Sequence, residues 1–333
     1  MTAAVGDSHV VTDHSLLLGF YRRLLWDPLV ARVPRWVSPN ALTLTAQLLG
    51  ALSAVFAFFA SRRARGLYLV AAACIFASLT LDNIDGSHAR LTGQSSRRGE
   101  MLDHGLDGIT STSVLISTGL LLHLDGLWMC SLCAMGALTF AATFWEQSRT
   151  GALTLPAVGP TEGVSALVLV EVSVALFGDP DWLRVSRERL TGGTVLVVVL
   201  VAVHAVAVLP PLVRARRHGI PLRDFLPPTI ATLALMGYAW LGAPGPLVGA
   251  AVGLTCAHFV CHLVIARHVN RRSGKVSNAP RTLFAALLPI PWALVSPASA
   301  TACATVSVFL VLAAYARSLK LGWRELAPRV EPS

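Results

Sequence analysis

From residue 41 almost to its end, the chain alternates long apolar runs with short polar breaks. A helix that crosses a bilayer needs about 20 mostly apolar residues. About ten stretches approach that length: 41–60, 67–86, 101–122, 127–145, 163–178, 194–213, 225–243, 247–266, 282–298 and 299–317. The fifth is short and contains Glu171, and only a proline-containing turn separates the last two. Ahead of the first run, residues 14–36 interleave leucines, Phe20, Tyr21, Trp26 and Trp36 with Arg22, Arg23, Arg32 and Arg35, the mixture expected of a helix lying in the membrane interface. Ser38 and Pro39 then supply an N-cap and a first-turn proline for the opening span. The pattern predicts an all-α, polytopic transmembrane bundle of about ten spans with an N-terminal interfacial amphipathic helix. No repeat or low-complexity segment interrupts it.

Composition narrows the class further. Of 333 residues, 54% are hydrophobic and only 14% charged, with a mean hydropathy of +0.62. A soluble domain carries about 25% charged residues, so this chain cannot build a water-facing surface. Its 26 Gly, 19 Pro and 6 Cys fit neither a collagen-like chain, a disulfide framework nor a disordered one. The formal net charge of +9 is almost wholly arginine, since Lys275 and Lys320 are the only lysines. Such charge at this hydropathy points to cytoplasmic loops and anionic lipid headgroups, with no nucleic-acid partner expected.

Arginine placement sets an orientation. In a ten-span arrangement the N-terminal arm, Arg90/Arg97/Arg98, Arg214/Arg216/Arg217/Arg223, Arg267/Arg271/Arg272/Lys275 and the C-terminal tail share one side. The loops near 123–126, 244–246 and 298 carry no Lys or Arg. Both termini are therefore expected in the cytoplasm. Two loops run against this: 61–66 holds Arg62, Arg63 and Arg65, and 179–193 mixes arginines with acids. The polar first fifteen residues predict no cleavable signal. The six cysteines all lie in apolar stretches, and the isolated Cys130–Cys133 pair reads as packing rather than a redox centre.

Ionisable groups inside spans are costly, about 2.5–3.5 kcal/mol for an aspartate at a helix centre. This chain nevertheless places Asp82 and Asp85 where the second span ends, and Asp103 and Asp107 where the third begins. Spacings of three and four put each pair on one helix face, and a helical hairpin brings both pairs to the same end. Four converging carboxylates need a cation, and oxygen ligands at this density suit Mg²⁺ or Mn²⁺. Gly86, Ala89 and Gly99 leave room for close approach, and Arg90, Arg97 and Arg98 add fixed positive charge. Metal-holding carboxylates beside arginines and space for a phosphate describe a phosphoryl-transfer site. An acid cluster that serves a cation transporter is the alternative of another class.

Residues 82–107 read Asp82-x2-Asp85-Gly86-x2-Ala89-Arg90-x8-Gly99-x3-Asp103-x3-Asp107. This resembles the signature of the class I CDP-alcohol phosphotransferase family, with every fixed position present. The resemblance implies transfer of a phosphoalcohol from a CDP carrier to a second alcohol, with release of CMP. It implies that Asp82, Asp85, Asp103 and Asp107 bind the divalent metal and the pyrophosphate, and that Gly86, Ala89 and Arg90, with Gly99 across the loop, line the nucleotide pocket. Asp103-His104-Gly105, the segment from Trp145-Glu146-Gln147 through Thr161-Glu162-Gly163, and Ser38-Pro39-Asn40-x2-Thr43 are similar to the eukaryotic choline/ethanolamine phosphotransferases. That branch implies phosphocholine or phosphoethanolamine transfer to diacylglycerol, with the site open to the cytoplasm. On this reading 1–40 form the arm and interfacial helix, 41–178 the catalytic helices, and 179–333 helices that complete the bundle. A CDP-diacylglycerol-dependent enzyme acting on a small alcohol is the nearest alternative. Gln147, Arg149 and Ser87-His88 depart from the branch and leave the headgroup open, as does the oligomer, for which a homodimer is one option.

The general base is a choice between two residues. Metal-bound aspartates keep little basicity, whereas His104 has an ordinary pKa near 6.5 and follows Asp103 directly. Glu162 is the candidate to orient His104, as carboxylates do in base–orienter pairs; Asp107 is the alternative base. Asn40 either caps the first span or touches nucleotide. His258 and His262, at i and i+4 near Cys261, read as packing or interhelical hydrogen bonding.

Overall fold

In the computed structural model, which describes residues 10–124, 126–185, 190–273 and 280–327, the chain starts as a strand, β1 (Val10–Asp13). Residue 125, residues 186–189 of the 179–193 loop, Lys275 and the tail after 327 lie outside the described residues. The interfacial segment follows as α1 (Leu18–Tyr21), a π turn at Arg22–Trp26 and α2 (Asp27–Val30). Trp26 and Val30 face inward onto Ile75, Leu79, Ile84 and Val164, while Phe20 and Leu24 stay exposed. One apolar face on the bundle and another outward is what a helix at a membrane surface requires.

Ser38 caps α3 (Pro39–Arg62) as expected, its hydroxyl accepting from the Ala41 amide at 3.2 Å. Next come α4 (Leu67–Thr92) and α5 (Arg97–Leu121). Gly93, at φ +70°, ends α4 in the left-handed conformation, and Ser96 caps α5 by accepting from the Gly99 amide at 3.0 Å. The turn between them is therefore tight, yet α4 and α5 diverge from it because α3 packs against both.

The rest of the bundle comprises α6 (Gly126–Thr150), α7 (Pro160–Phe177), α8 (Gly192–Ala207), α9 (Leu209–Arg217), α10 (Leu226–Trp240), α11 (Gly245–Ser273), α12 (Ile290–Ala293) and α13 (Pro297–Glu325). Between α6 and α7, β2 (Ala152–Leu155) pairs in parallel with β1, in register from Val10–Ala152 to Asp13–Leu155. This strand pair is the one departure from an all-α architecture among the described residues. The largest core is built on α11, which packs against α5, α6, α10 and α13.

Seven helices among the described residues are long and apolar enough to cross a membrane: α3, α4, α6, α7, α8 with α9 as one 26-residue unit, α11 to Val269, and α13. The protein is thus an integral membrane protein. The sequence pattern suggested about ten, and the difference has three causes. The third run, α5, is a 25-residue helix diluted by its Gly, Ser and Thr residues as well as by charge. The seventh, α10, has 15 residues, about 22 Å of rise against a core of about 30 Å. The ninth, 282–298, is not one helix: a 3₁₀ segment at Arg281–Leu287 and the short α12 replace it, with Pro289 and Pro291 breaking the path. Irregular backbone is tolerated in a bundle where protein groups satisfy it. Here Ser307 donates to the Ala286 carbonyl at 2.6 Å and meets the Tyr238 hydroxyl at 2.9 Å.

Candidate active site

The last turns of α4 and the first turns of α5 bring the acids together. Asp82, Asp85 and Asp103 each offer a carboxylate oxygen within 4.8 Å of the others. Asp103, His104 and Asp107 form a second such group, so the two share Asp103. The Oδ1 atom of Asp82 is buried and has no hydrogen-bond partner. An unpartnered buried carboxylate oxygen among two other acids is strongly unfavourable by itself, and a bound cation removes both penalties. The donor set is all oxygen, which suits a hard divalent ion.

The polar face of α3 supports these acids. Thr43 donates from its hydroxyl to Asp85 Oδ2 at 2.5 Å. Gln47, one turn on, donates from Nε2 to Asp107 Oδ1 at 3.3 Å and accepts from Thr110 at 2.7 Å through its carbonyl oxygen. Both side chains are buried. Neither was singled out for this role in the sequence. The signal was present, because Thr43 and Gln47 repeat at i, i+4 inside an apolar run, where a polar stripe needs a polar partner.

His104 points its Nδ1 toward two carboxylates, 3.7 Å from Asp103 Oδ2 and 3.6 Å from Asp107 Oδ2. Both distances exceed a hydrogen bond. Its ring leans on Phe144 of α6, with centroids 5.3 Å apart. Glu162 is not its orienting partner in the described residues. The Glu162 carboxylate instead accepts from the Ser15 hydroxyl at 2.6 Å, the Leu17 amide at 2.9 Å and the Gly159 amide at 2.8 Å. It caps α7 and ties the N-terminal arm down, and both its oxygens are taken by that work.

The remaining sequence candidates line the same end of the bundle. A Cβ on Gly99 would fall 3.3 Å from Asn40 Oδ1, so the Asn40 side chain lies over that glycine. A Cβ on Gly86 would meet nothing nearer than the mobile end of Arg90, at 3.5 Å. Ala89 is half-buried; Arg90 is exposed and donates to Ser87 Oγ at 3.0 Å. Beside them a cavity of about 140 Å³ opens between the arm and α4, with Arg22, Trp26, Asn83 and Arg90 among its walls.

The 145–163 segment is built into ion pairs the sequence did not reveal. Arg214 of α9 grips Glu146 through two bonds of 2.5 and 2.7 Å, and Arg149 pairs with Asp224 at 3.0 Å. Across the bundle Glu100 pairs with Arg267 and, at 3.1 Å, with His268. Elsewhere the modest readings hold. His258 bonds to Ser318 at 3.0 Å, and Cys130 and Cys133 are buried free thiols.

A family model described as CDP-alcohol phosphatidyltransferase matches residues 36–209, just over half of the chain. Cholinephosphotransferase 1 of Gallus gallus is 32% identical over 166 residues, 47% of this chain and 49% of that protein. Cholinephosphotransferase 1 of Xenopus laevis is 32% identical over 167 residues, 48% of this chain and 42% of the relative. Choline/ethanolaminephosphotransferase 2 of Arabidopsis thaliana is 30% identical over 178 residues, 51% and 45% respectively. The matched part spans about half the length of each of these curated relatives.

Proposed function

The chain belongs to the CDP-alcohol phosphatidyltransferase family, and from that premise we propose that it is a phosphotransferase of phospholipid synthesis. It moves phosphocholine or phosphoethanolamine from the CDP carrier to diacylglycerol, giving phosphatidylcholine or phosphatidylethanolamine and CMP. The observation that carries the reading is the convergence of Asp82, Asp85 and Asp103 within 4.8 Å, inside the motif. The names of the relatives support the choice of headgroup.

Asp82, Asp85 and Asp103, with Asp107 at the edge, would hold a divalent cation, Mg²⁺ or Mn²⁺. Bound there, the ion supplies neutralisation of the pyrophosphate charge and polarisation of the phosphoryl oxygens. Thr43 and Gln47 hold Asp85 and Asp107 in place for it. Arg90 and Asn40 line the approach for the nucleotide. In the reaction the diacylglycerol oxygen forms a bond to the β-phosphorus as the bond to the bridging oxygen breaks, and CMP leaves with that oxygen. The hydroxyl proton goes to His104. Its Nδ1 faces Asp103 and Asp107, leaving Nε2 as the acceptor, and the two carboxylates stabilise the imidazolium that forms. The site opens to the cytoplasmic side, where the charged CDP substrate is dissolved, while the lipid alcohol arrives from the bilayer.

Product analysis tests the assignment. Purified protein with Mg²⁺, diacylglycerol and CDP-choline or CDP-ethanolamine is expected to yield the corresponding phospholipid by mass spectrometry. Product only from CDP-diacylglycerol and a small alcohol would overturn it.

A further inference from the structure

A second crevice, lined by none of the four aspartates, lies where α8 bends into α9 at Pro210 and Pro211. Its volume is about 340 Å³, within the range of small-molecule sites. Its walls are apolar: Met135 and Leu138 from α6, Val208 and Leu212 from the bend, Phe225 and Thr229 from the start of α10. Even Thr229 turns its hydroxyl to the Phe225 carbonyl, at 3.0 Å. The wall residues of α6 and the His104-facing Phe144 lie on different faces of that helix, so this crevice does not feed the acid cluster.

Its rim is cationic. Val208, Leu212 and Arg216 recur at i, i+4 and i+8, so the stripe that lines the crevice ends one turn later in an exposed guanidinium. On the other wall Leu222 lines the crevice and exposed Arg223 follows it directly. The acids nearby are already matched, Glu146 by Arg214 and Asp224 by Arg149. No ion pair among the described residues engages Arg216, Arg217 or Arg223, and they leave uncompensated positive charge at the mouth. An apolar slot that ends in unmatched arginines is complementary to one kind of molecule in a bilayer, a chain with an anionic head.

We propose that this crevice binds an anionic phospholipid of the surrounding leaflet, one acyl chain between α6 and α10 and the phosphate against Arg216 and Arg223. The site clamps the α8–α9 bend to α6 and is separate from the reaction centre.

Native mass spectrometry of the purified full chain tests this with dioleoyl-phosphatidylglycerol or dioleoyl-phosphatidylcholine added in equal amounts. The expected result is retention of one phosphatidylglycerol in preference to phosphatidylcholine by on the order of tenfold, since each arginine near an anionic head adds favourable energy. The double variant Arg216→Gln/Arg223→Gln should equalise the two lipids, and Leu212→Trp should remove the retained lipid of either kind. CMP release in phosphatidylcholine micelles reports that the double variant is folded and should be unchanged. Equal retention by the unaltered protein, or a preference that survives in the folded double variant, would overturn the proposal.

Discussion

In the proposed mechanism His104 is the residue on which the proton transfer turns. It sits with Nδ1 between two carboxylates at 3.6 and 3.7 Å and with its ring against Phe144, a setting that fixes the imidazole without filling its second nitrogen. His104→Ala should lower kcat by on the order of 10²–10⁴ and leave metal-dependent binding of the CDP-alcohol nearly intact, measured as turnover alongside equilibrium binding. Normal turnover would move the base to Asp107. Thr43 acts one step further out. Thr43→Val keeps the shape but removes the donor to Asp85 Oδ2, and activity should fall about 10–100-fold with a raised metal requirement. Added metal should recover part of that loss in a titration; if it does not, Thr43 does not act through the ion. At this scale the four aspartates, the glycines and Arg90 were legible in the sequence because their spacing is a signature. The partner of Glu162 was not. It depends on the arm folding back so that Ser15 and Leu17 reach the start of α7, a contact across about 145 residues that no local pattern encodes.

Among the elements, the start of the first span was readable at Ser38, whereas the end of α4, the start of α5 and the distances between helices were not. Ser38, Gly93 and Ser96 mark helix ends by ordinary capping chemistry. The ninth run reads as a span by composition, yet two prolines divide it, and the bundle accepts the break because Ser307 satisfies a freed carbonyl. Small residues set the close contacts that hold the acids in place. A Cβ on Gly108 would come 2.3 Å from the Ala257 Cβ and 2.8 Å from its Cα, so α5 cannot keep its distance from α11 with any larger residue there. Gly108→Ala should therefore destabilise the protein by about 1–3 kcal/mol and lower activity, because it displaces the turn carrying Asp107. Gly237→Ala, with nothing within 4 Å of the added carbon, is the matched control and should melt like the unaltered protein. Equal melting of both variants in the same detergent would show that the α5–α11 spacing is not set by this glycine.

For the whole molecule, the charge pattern and the site make one statement about orientation. The acid hairpin, the Glu146–Arg214 and Arg149–Asp224 pairs, and the arm strapped by β1–β2 all gather at one end of the bundle. The proposed orientation, argued from the positive-inside rule, puts that end in the cytoplasm. Ser95→Cys, exposed in the motif turn, should react with an impermeant thiol reagent only after cells are opened, whereas Pro244→Cys, exposed at the other end, should react in intact cells. The native thiols interfere little, since all are buried except the half-buried Cys74. Labelling of position 95 in intact cells would invert the topology. Function rests on the claim that the converged aspartates form a metal-dependent centre for phosphoryl transfer from a CDP-alcohol. The most direct measurement is CMP release by the purified protein supplied with CDP-choline or CDP-ethanolamine. The account predicts release that requires both diacylglycerol and Mg²⁺ or Mn²⁺, stops in EDTA, and falls by at least about 10²-fold in Asp82→Asn. Sustained CMP release in EDTA, or full activity in Asp82→Asn, would contradict it.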